Sequence, residues 1–442
     1  MPRELPGFYF DAEKNRYFPS SSKQAGKSHP PYSQPPADRP HTSEAASPSS
    51  STPPPQNAQR RSHDAWHTLQ LSRLVTCPRQ RIATLHQMMT AQLEASAAYQ
   101  AIPIPVFTGR TLTAFAAGVH DGRIWSIAGD SYGVLHAFDP SPPEDLLSMP
   151  SHVLQHSWTR KYRLDSQISS IRSSGLRWVA TSFGSTILVH DLPSTRTVKV
   201  SLSPDLACDV WTSHLRDRSL VLGVRKRALL MQDVESSTVA WRLETQSDVF
   251  ALHQEECLVY TGSRNGSIRR FDTRSRGPGL TLLGDAFTKS SNSITYLNII
   301  KDWQLLVTTI RGAIEIFDIR FLQEARPLLR LVGHVNSYQP SLPQAITPSQ
   351  DFFFAAGLDN RIRGWSLLTG EPLSCPHPRS TLEVPSHQLH PVDMDASPFR
   401  VKFEEQITSL EITEVGHELC LFATSGSGLH RFILGRRFPY ET

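Results

Sequence analysis

The ending Phe-Asp-x-Arg occurs twice in this chain, in RRFDTR at 269–274 and in EIFDIR at 315–320, and the two aspartates lie 46 residues apart. What precedes each ending is also alike. Residues 247–274 read SDVFALHQEECLVYTGSRNGSIRRFDTR and residues 292–320 read NSITYLNIIKDWQLLVTTIRGAIEIFDIR. Both run from a small polar residue into an apolar strand, a polar turn, a second strand, a tight turn, and a third strand that closes on aromatic-Asp. Asn265-Gly266 supplies the tight turn in the first unit, and Asn-Gly is the strongest two-residue hairpin signal. One such unit is too small to bury its own apolar face. Its repetition therefore dictates that neighbouring units stack.

Five further stretches follow the pattern: 116–139, 166–191, 207–233, 333–367 and 406–434. The positions that align with Asp272 are Asp139, Asp191, Asp233, Asp318, Ser366 and Ile433, at successive intervals of 52, 42, 39, 46, 48 and 67 residues. A period near 45 with about four strands per unit is the signature of WD40 repeats. The chain is thus expected to be all-β, a seven-bladed WD40 β-propeller over 101–442, with an insertion loop at 369–401 and an outer closing strand taken from Ile102–Thr113. Residues 333–367 match the repeat best: Gly333-His334 opens the unit, and Asp359 stands six residues before Trp365. The resemblance implies that His334, Asp359 and Trp365 form the hydrogen-bonded tetrad of that blade, without its Ser/Thr member, because Ala355 and Ala356 stand where it should be.

Before the repeats the composition changes twice. From 19 to 62 the chain is dominated by Pro, Ser and Gln, which is the composition of a disordered linker. Ser47-Pro48 and Thr52-Pro53 are phosphorylation candidates within it. Over 63–100 the chain turns helical. Ile82, Leu85, Met88, Met89 and Leu93 recur at helical spacing, so a helix is expected from Arg79 to Ala97, with Pro78 at its start and its apolar stripe packed on the core. Residues 1–18 carry Phe8, Tyr9, Phe10, Tyr17 and Phe18 around a turn at 11–15. This reads as a hairpin, and such an aromatic cluster suits a docking motif.

The totals weigh against several classes of function. A net charge of +4 over 442 residues gives no electrostatic case for nucleic-acid binding. The run Arg225-Lys226-Arg227 reads as a solvated turn, without the stacking aromatics of single-strand recognition. The five cysteines include no C-x-x-C pair and read as reduced thiols. The N-terminus has no signal-peptide core, and no apolar run suffices for a membrane helix. Cys375, His377, His387 and His390 lie in a Pro-rich loop at irregular spacing, and His63 and His67 have no further ligands nearby, so no metal and no cofactor are expected. No nucleophile elbow, phosphate loop or H-E-x-x-H occurs, and the chain does not read as an enzyme.

In the two Phe-Asp-x-Arg endings, Asp272 can hold Arg274, and Asp318 can hold Arg320, by charge-assisted bonds on one rim of the disc. Paired endings of this kind in consecutive blades resemble the receptor subunits of cullin 4-RING ubiquitin ligases. ELPGFYFDAEKNRYF at 4–18, the unit at 247–274, and GHVNSY with LDNRIRGWSL resemble the type-four family of DDB1- and cullin-4-associated factors. That resemblance implies that Asp272, Arg274, Asp318 and Arg320 face the adaptor, damage-specific DNA-binding protein 1, and through it cullin 4. It implies that the helix at 79–97 adds to the contact, that an unknown protein substrate binds the opposite face or the central opening, and that the protein works in the nucleus, the cytoplasm or both. A general WD40 scaffold and a nucleic-acid binder are the competing readings.

Overall fold

The computed structural model describes the backbone of 8–11 and 16–19. From 78 to 436 it describes the chain with breaks, among them 142–157, 284–291, 374–381 and 385–392. The linker, Ser47, Thr52, His63, His67, Cys375, His377, His387 and His390 lie outside the described residues, as do the side chains of the aromatic motif. The chain divides into two units, 1–62 and 63–442. In the first, Phe8–Asp11 pairs antiparallel with Arg16–Pro19, with Tyr9 opposite Phe18 and Phe10 opposite Tyr17.

The second unit is a seven-bladed propeller. Five antiparallel sheets of four strands each span 112–163, 168–201, 212–244, 249–283 and 294–331; we number them blades one to five. Blade six has three strands, Gln344–Ile346, Phe352–Ala356 and Ile362–Ser366, with isolated bridges from Trp365 to Pro372 and from Arg361 to Lys402. Blade seven is a sheet of five strands, whose innermost three are Ile407–Val415, Glu418–Ser425 and Gly428–Leu434. The core is not one mass but seven apolar wedges, one between each pair of neighbouring blades. Ile294 of blade five packs among Tyr260 and Ile268 of blade four, for example, and Phe353 and Trp365 of blade six pack on Ile314 and Ile316 of blade five. Each blade thus buries its two faces against its neighbours, as strand-rich units without a private core must.

The ring closes differently from the sequence expectation. The strand that pairs with Gly428–Leu434 is Ala97–Pro103, not Ile102–Thr113. Residues from Leu112 onward already belong to the inner strand of blade one. Ala97, Ala98 and Tyr99 are buried there, and Tyr99 shares a 2.9 Å hydrogen bond with His430 Nδ1. Pro103 and Pro105 lack the N–H that would carry the ladder further.

Helix α1 (Pro78–Ala95) therefore stops two residues before the expected Ala97. Its Leu93 enters the wedge between blades six and seven. His86 stacks on Phe352 at 5.0 Å and its Nε2 lies 2.7 Å from Ser366 Oγ. Met88 is half-buried, and the other members of the apolar stripe are not packed on the core as expected: Ile82, Leu85 and Met89 are 59%, 43% and 37% exposed. The stripe is wider than the contact, so one edge of the helix faces outward.

Candidate functional site

Strands alternate in direction within a blade, so the third strand of every blade ends on the same side of the disc. Four consecutive blades carry one turn at that point, in which a side-chain oxygen accepts the backbone N–H two residues on. Asp233 Oδ1 takes Glu235 N at 3.1 Å, Asp272 Oδ1 takes Arg274 N at 3.0 Å, Asp318 Oδ1 takes Arg320 N at 2.9 Å, and Ser366 Oγ takes Leu368 N at 3.2 Å. Asp and Ser are favoured here because their short polar chains mimic a backbone turn. The strands themselves end at Asp272 and Asp318, so the arginines project from the turn and not from strand alternation.

What differs between blades is the side chain two positions past the cap. In blade three it is Glu235, which is absorbed in a network with Arg177 at 2.6 Å, Arg196 at 3.6 Å and Arg218 at 3.6 Å. In blades four and five it is arginine. Arg274 Nε and Nη2 donate to the two oxygens of Asp272 at 3.0 and 2.8 Å. Arg320 Nε and Nη2 donate to those of Asp318 at 2.9 and 2.7 Å. Both are fork-on-fork pairs, the geometry that fixes a guanidinium plane. Each arginine stays open to solvent all the same, with 72% of the Arg274 side chain exposed and 53% of Arg320. The bonds from Arg274 hold the Asp272 carboxyl down at about 2, those from Arg320 lower Asp318, and the carboxylates raise both arginines in return. In blade six the same position is the exposed Leu368.

Two features of this rim escaped the sequence reading. Arg320 lies 4.0 Å over the Trp303 ring and 5.6 Å from the exposed Phe321, so cation–π contact adds to its ion pair. Trp303 precedes its arginine by 17 residues; only the pairing of the second and third strands, with Ile319 N on Trp303 O at 3.0 Å, brings the two together. The second feature is the anchor of α1. Ser366 occupies the place of Asp272 and Asp318, and it is the residue His86 reaches. The helix and its outward Ile82, Leu85 and Met89 are thereby tied to the rim turn of the blade next to Arg320.

The tetrad of blade six forms only in part. His334 meets Trp365 edge-on at 6.3 Å, but its Nε2 contacts Ala356 O at 3.0 Å, and Trp365 Nε1 donates to Val332 O at 2.8 Å. Asp359 does not join the relay as the resemblance implied. Both its oxygens are taken by Arg363, at 2.8 and 2.6 Å, a bidentate partner that outcompetes an imidazole. The turn at Arg225–Lys226 is the solvated one expected, with Lys226 at φ +64°.

Among the described residues no three His, Cys, Asp or Glu side chains gather as a metal site. No helix among them is long and apolar enough to cross a membrane. Cys257 and Cys420 are free thiols.

No protein-family model matches the chain. The chain resembles DDB1- and CUL4-associated factor 4. Over 133 residues it is 29% identical to the cattle protein, covering 29% of this chain and 26% of that one. Over 185 residues it is 28% identical to the human protein, covering 40% of this chain and 36% of that one. It thus spans about a third of the length of the curated relatives it matches. A solved structure of the computationally designed Ika8 protein is 14% identical, with a TM-score of 0.46 over 75% of this chain and 98% of that one.

Proposed function

We propose that this chain is a substrate-receptor subunit of a cullin 4-RING ubiquitin ligase, in the nucleus or the cytoplasm, and that the rim carrying Arg274 and Arg320 docks on the propeller adaptor DDB1. The relatives it resembles are named for association with DDB1 and CUL4. The single observation that carries the reading is the pair of arginines in consecutive blades, each locked by its carboxylate and each left exposed. A solvent-facing guanidinium already fixed in one rotamer loses little freedom on binding, which is what makes arginine an interface anchor. Phe321, Leu368 and the outward edge of α1 supply apolar area beside the two cations, so the docking surface has charge at its centre and hydrophobic contact on one flank.

In this role the protein catalyses nothing. It holds a target near the ubiquitin-charged enzyme and raises its local concentration. The test is adaptor co-purification with the Arg274→Ala/Arg320→Ala double variant. Loss of adaptor with an unchanged thermal midpoint supports the reading. A double variant that still retains the adaptor ends it.

A further inference from the structure

The inner strands all start at the end of the disc away from the arginine rim, and there they surround a cavity of about 450 Å³. That volume suits a few side chains of a segment, not a folded surface. Its wall is asymmetric. On one side Trp211 stands between Phe183 and Phe250, edge to face at 5.4 Å from each. Further in, Arg172, Tyr296 and Glu411 line the same space. Arg172 Nε donates to Ser213 O at 3.2 Å. Its two terminal nitrogens have no partner among the described residues, and the side chain is exposed to the cavity. Glu411 sits close enough to feel Arg172 but makes no ion pair with it.

The geometry points to a peptide-binding site in this cavity, in which Arg172 takes an acidic side chain and the Phe183–Trp211–Phe250 wall takes an apolar neighbour. Charge complementarity selects the sign. A guanidinium keeps its proton in proteins, so the positive charge of Arg172 is permanent. The opposing carboxylate is not fixed: burial raises Glu411 to about 7, although Arg172 pulls the other way. The other titratable groups facing this layer are Tyr296, His214 and, deeper, His253, with Arg216 beyond them. Burial holds both histidines uncharged, so they oppose neither sign. A cationic ligand would meet the permanent charge of Arg172. An anionic one needs only a protonated Glu411. Arg172 alone, the one cation lining the cavity among the described residues, also falls short of the several phosphate contacts by which nucleic acid binds. That the bound peptide is a ligase target rests on the receptor reading above; the binding itself does not.

The test uses the purified full chain and four bead-bound peptide libraries. Each is degenerate at its flanking positions and fixed at the centre as Asp, phosphoserine, Gln or Lys. The chain is expected to bind the Asp or phosphoserine library about tenfold better than the Gln library, which is the size of one charge-assisted bond. The ratio between the two acidic libraries identifies the source of the charge. Arg172→Gln should abolish the preference. Glu411→Gln should strengthen acidic binding, and it keeps the test decisive if the Arg172 variant does not fold. Preference for Lys, equal binding of all four libraries, binding of none, or weaker acidic binding by Glu411→Gln would each overturn the inference. Arg274→Ala/Arg320→Ala should leave the peptide preference intact, so the two proposals fail separately.

Discussion

Arg320 is clamped from two directions. Its guanidinium lies 4.0 Å above the ring of Trp303 while Asp318 holds the edge of the same plane through two bonds. The equivalent of Trp303 in blade four is Cys257, whose carbonyl accepts Thr273 N at 2.8 Å as that of Trp303 accepts Ile319 N. Arg274 thus has the carboxylate but no ring, and it is the more exposed of the pair.

Arg320→Ala should therefore weaken adaptor binding more than Arg274→Ala, by about thirtyfold against about tenfold, the range of interface anchors. Asp318→Asn and Trp303→Ala, which leave Arg320 in place but free one side of it, should fall between Arg320→Ala and wild type. Surface ion pairs contribute little to folding, so thermal midpoints should stay within about 2 °C. Surface plasmon resonance with purified adaptor gives the order, and an order in which Trp303→Ala has no effect removes the ring from the account.

The Asp272–Arg274 pair should also be insensitive to pH. The Asp272 carboxyl titrates at about 2, below its unfolded value, so its contribution is present above the ordinary carboxylate range and fades only as pH falls towards 2. Adaptor affinity measured between pH 5.5 and 8.5 at constant ionic strength should vary less than about threefold.

On the receptor reading, variants of helix α1 should separate docking from folding. Ile82→Glu with Met89→Glu places two carboxylates on its outward edge and should lower adaptor affinity by tenfold or more, with little change in stability. Leu93→Ala empties a site in the wedge between blades six and seven and should cost about 2–5 kcal/mol of stability. Chemical denaturation beside the binding assay distinguishes the two effects; a glutamate variant that binds normally would place the helix outside the interface.

Stability should fall in mild acid, and His430 is a principal cause. Burial lowers it to about 4 and it shares its Nδ1 with the Tyr99 hydroxyl. The unfolded chain takes up a proton near 6.5 that the folded chain refuses, so the loss begins as pH drops through 6.5 and levels off near 4. His430 alone accounts for up to about 3 kcal/mol over that interval. His214 and His253, also held low by burial, act in the same direction. In His430→Gln the decline in thermal midpoint from pH 7 to 4.5 should be visibly shallower than in the wild type.

The propeller and the two arginine pairs were legible because their signals are local: strand, turn, strand, Asp and Arg follow one another within about 28 residues. The closing strand was not. Ala97-Ala98-Tyr99-Gln100 has the composition of a helix end, and only its partners at 428–434 make it a strand, a case of tertiary context overriding local preference. The cap geometry of Asp272 and Asp318 was hidden in a similar way, since strand alternation and an Asp-initiated turn both bring residues two apart together. Asp359 was misassigned because Arg363, four residues on, offers a better partner than the histidine of the repeat pattern.

The latch made by Ala97–Pro103 and Gly428–Leu434 sets a schedule for biosynthesis. Tyr99 and His430 are 331 residues apart. At roughly 5–20 residues per second, the early half of the latch leaves the ribosome on the order of 15–70 s before its mate exists. For that interval an Ala- and Tyr-bearing edge stands unpaired beside growing blades that cannot yet form a circle, open to pairing with any other strand it meets.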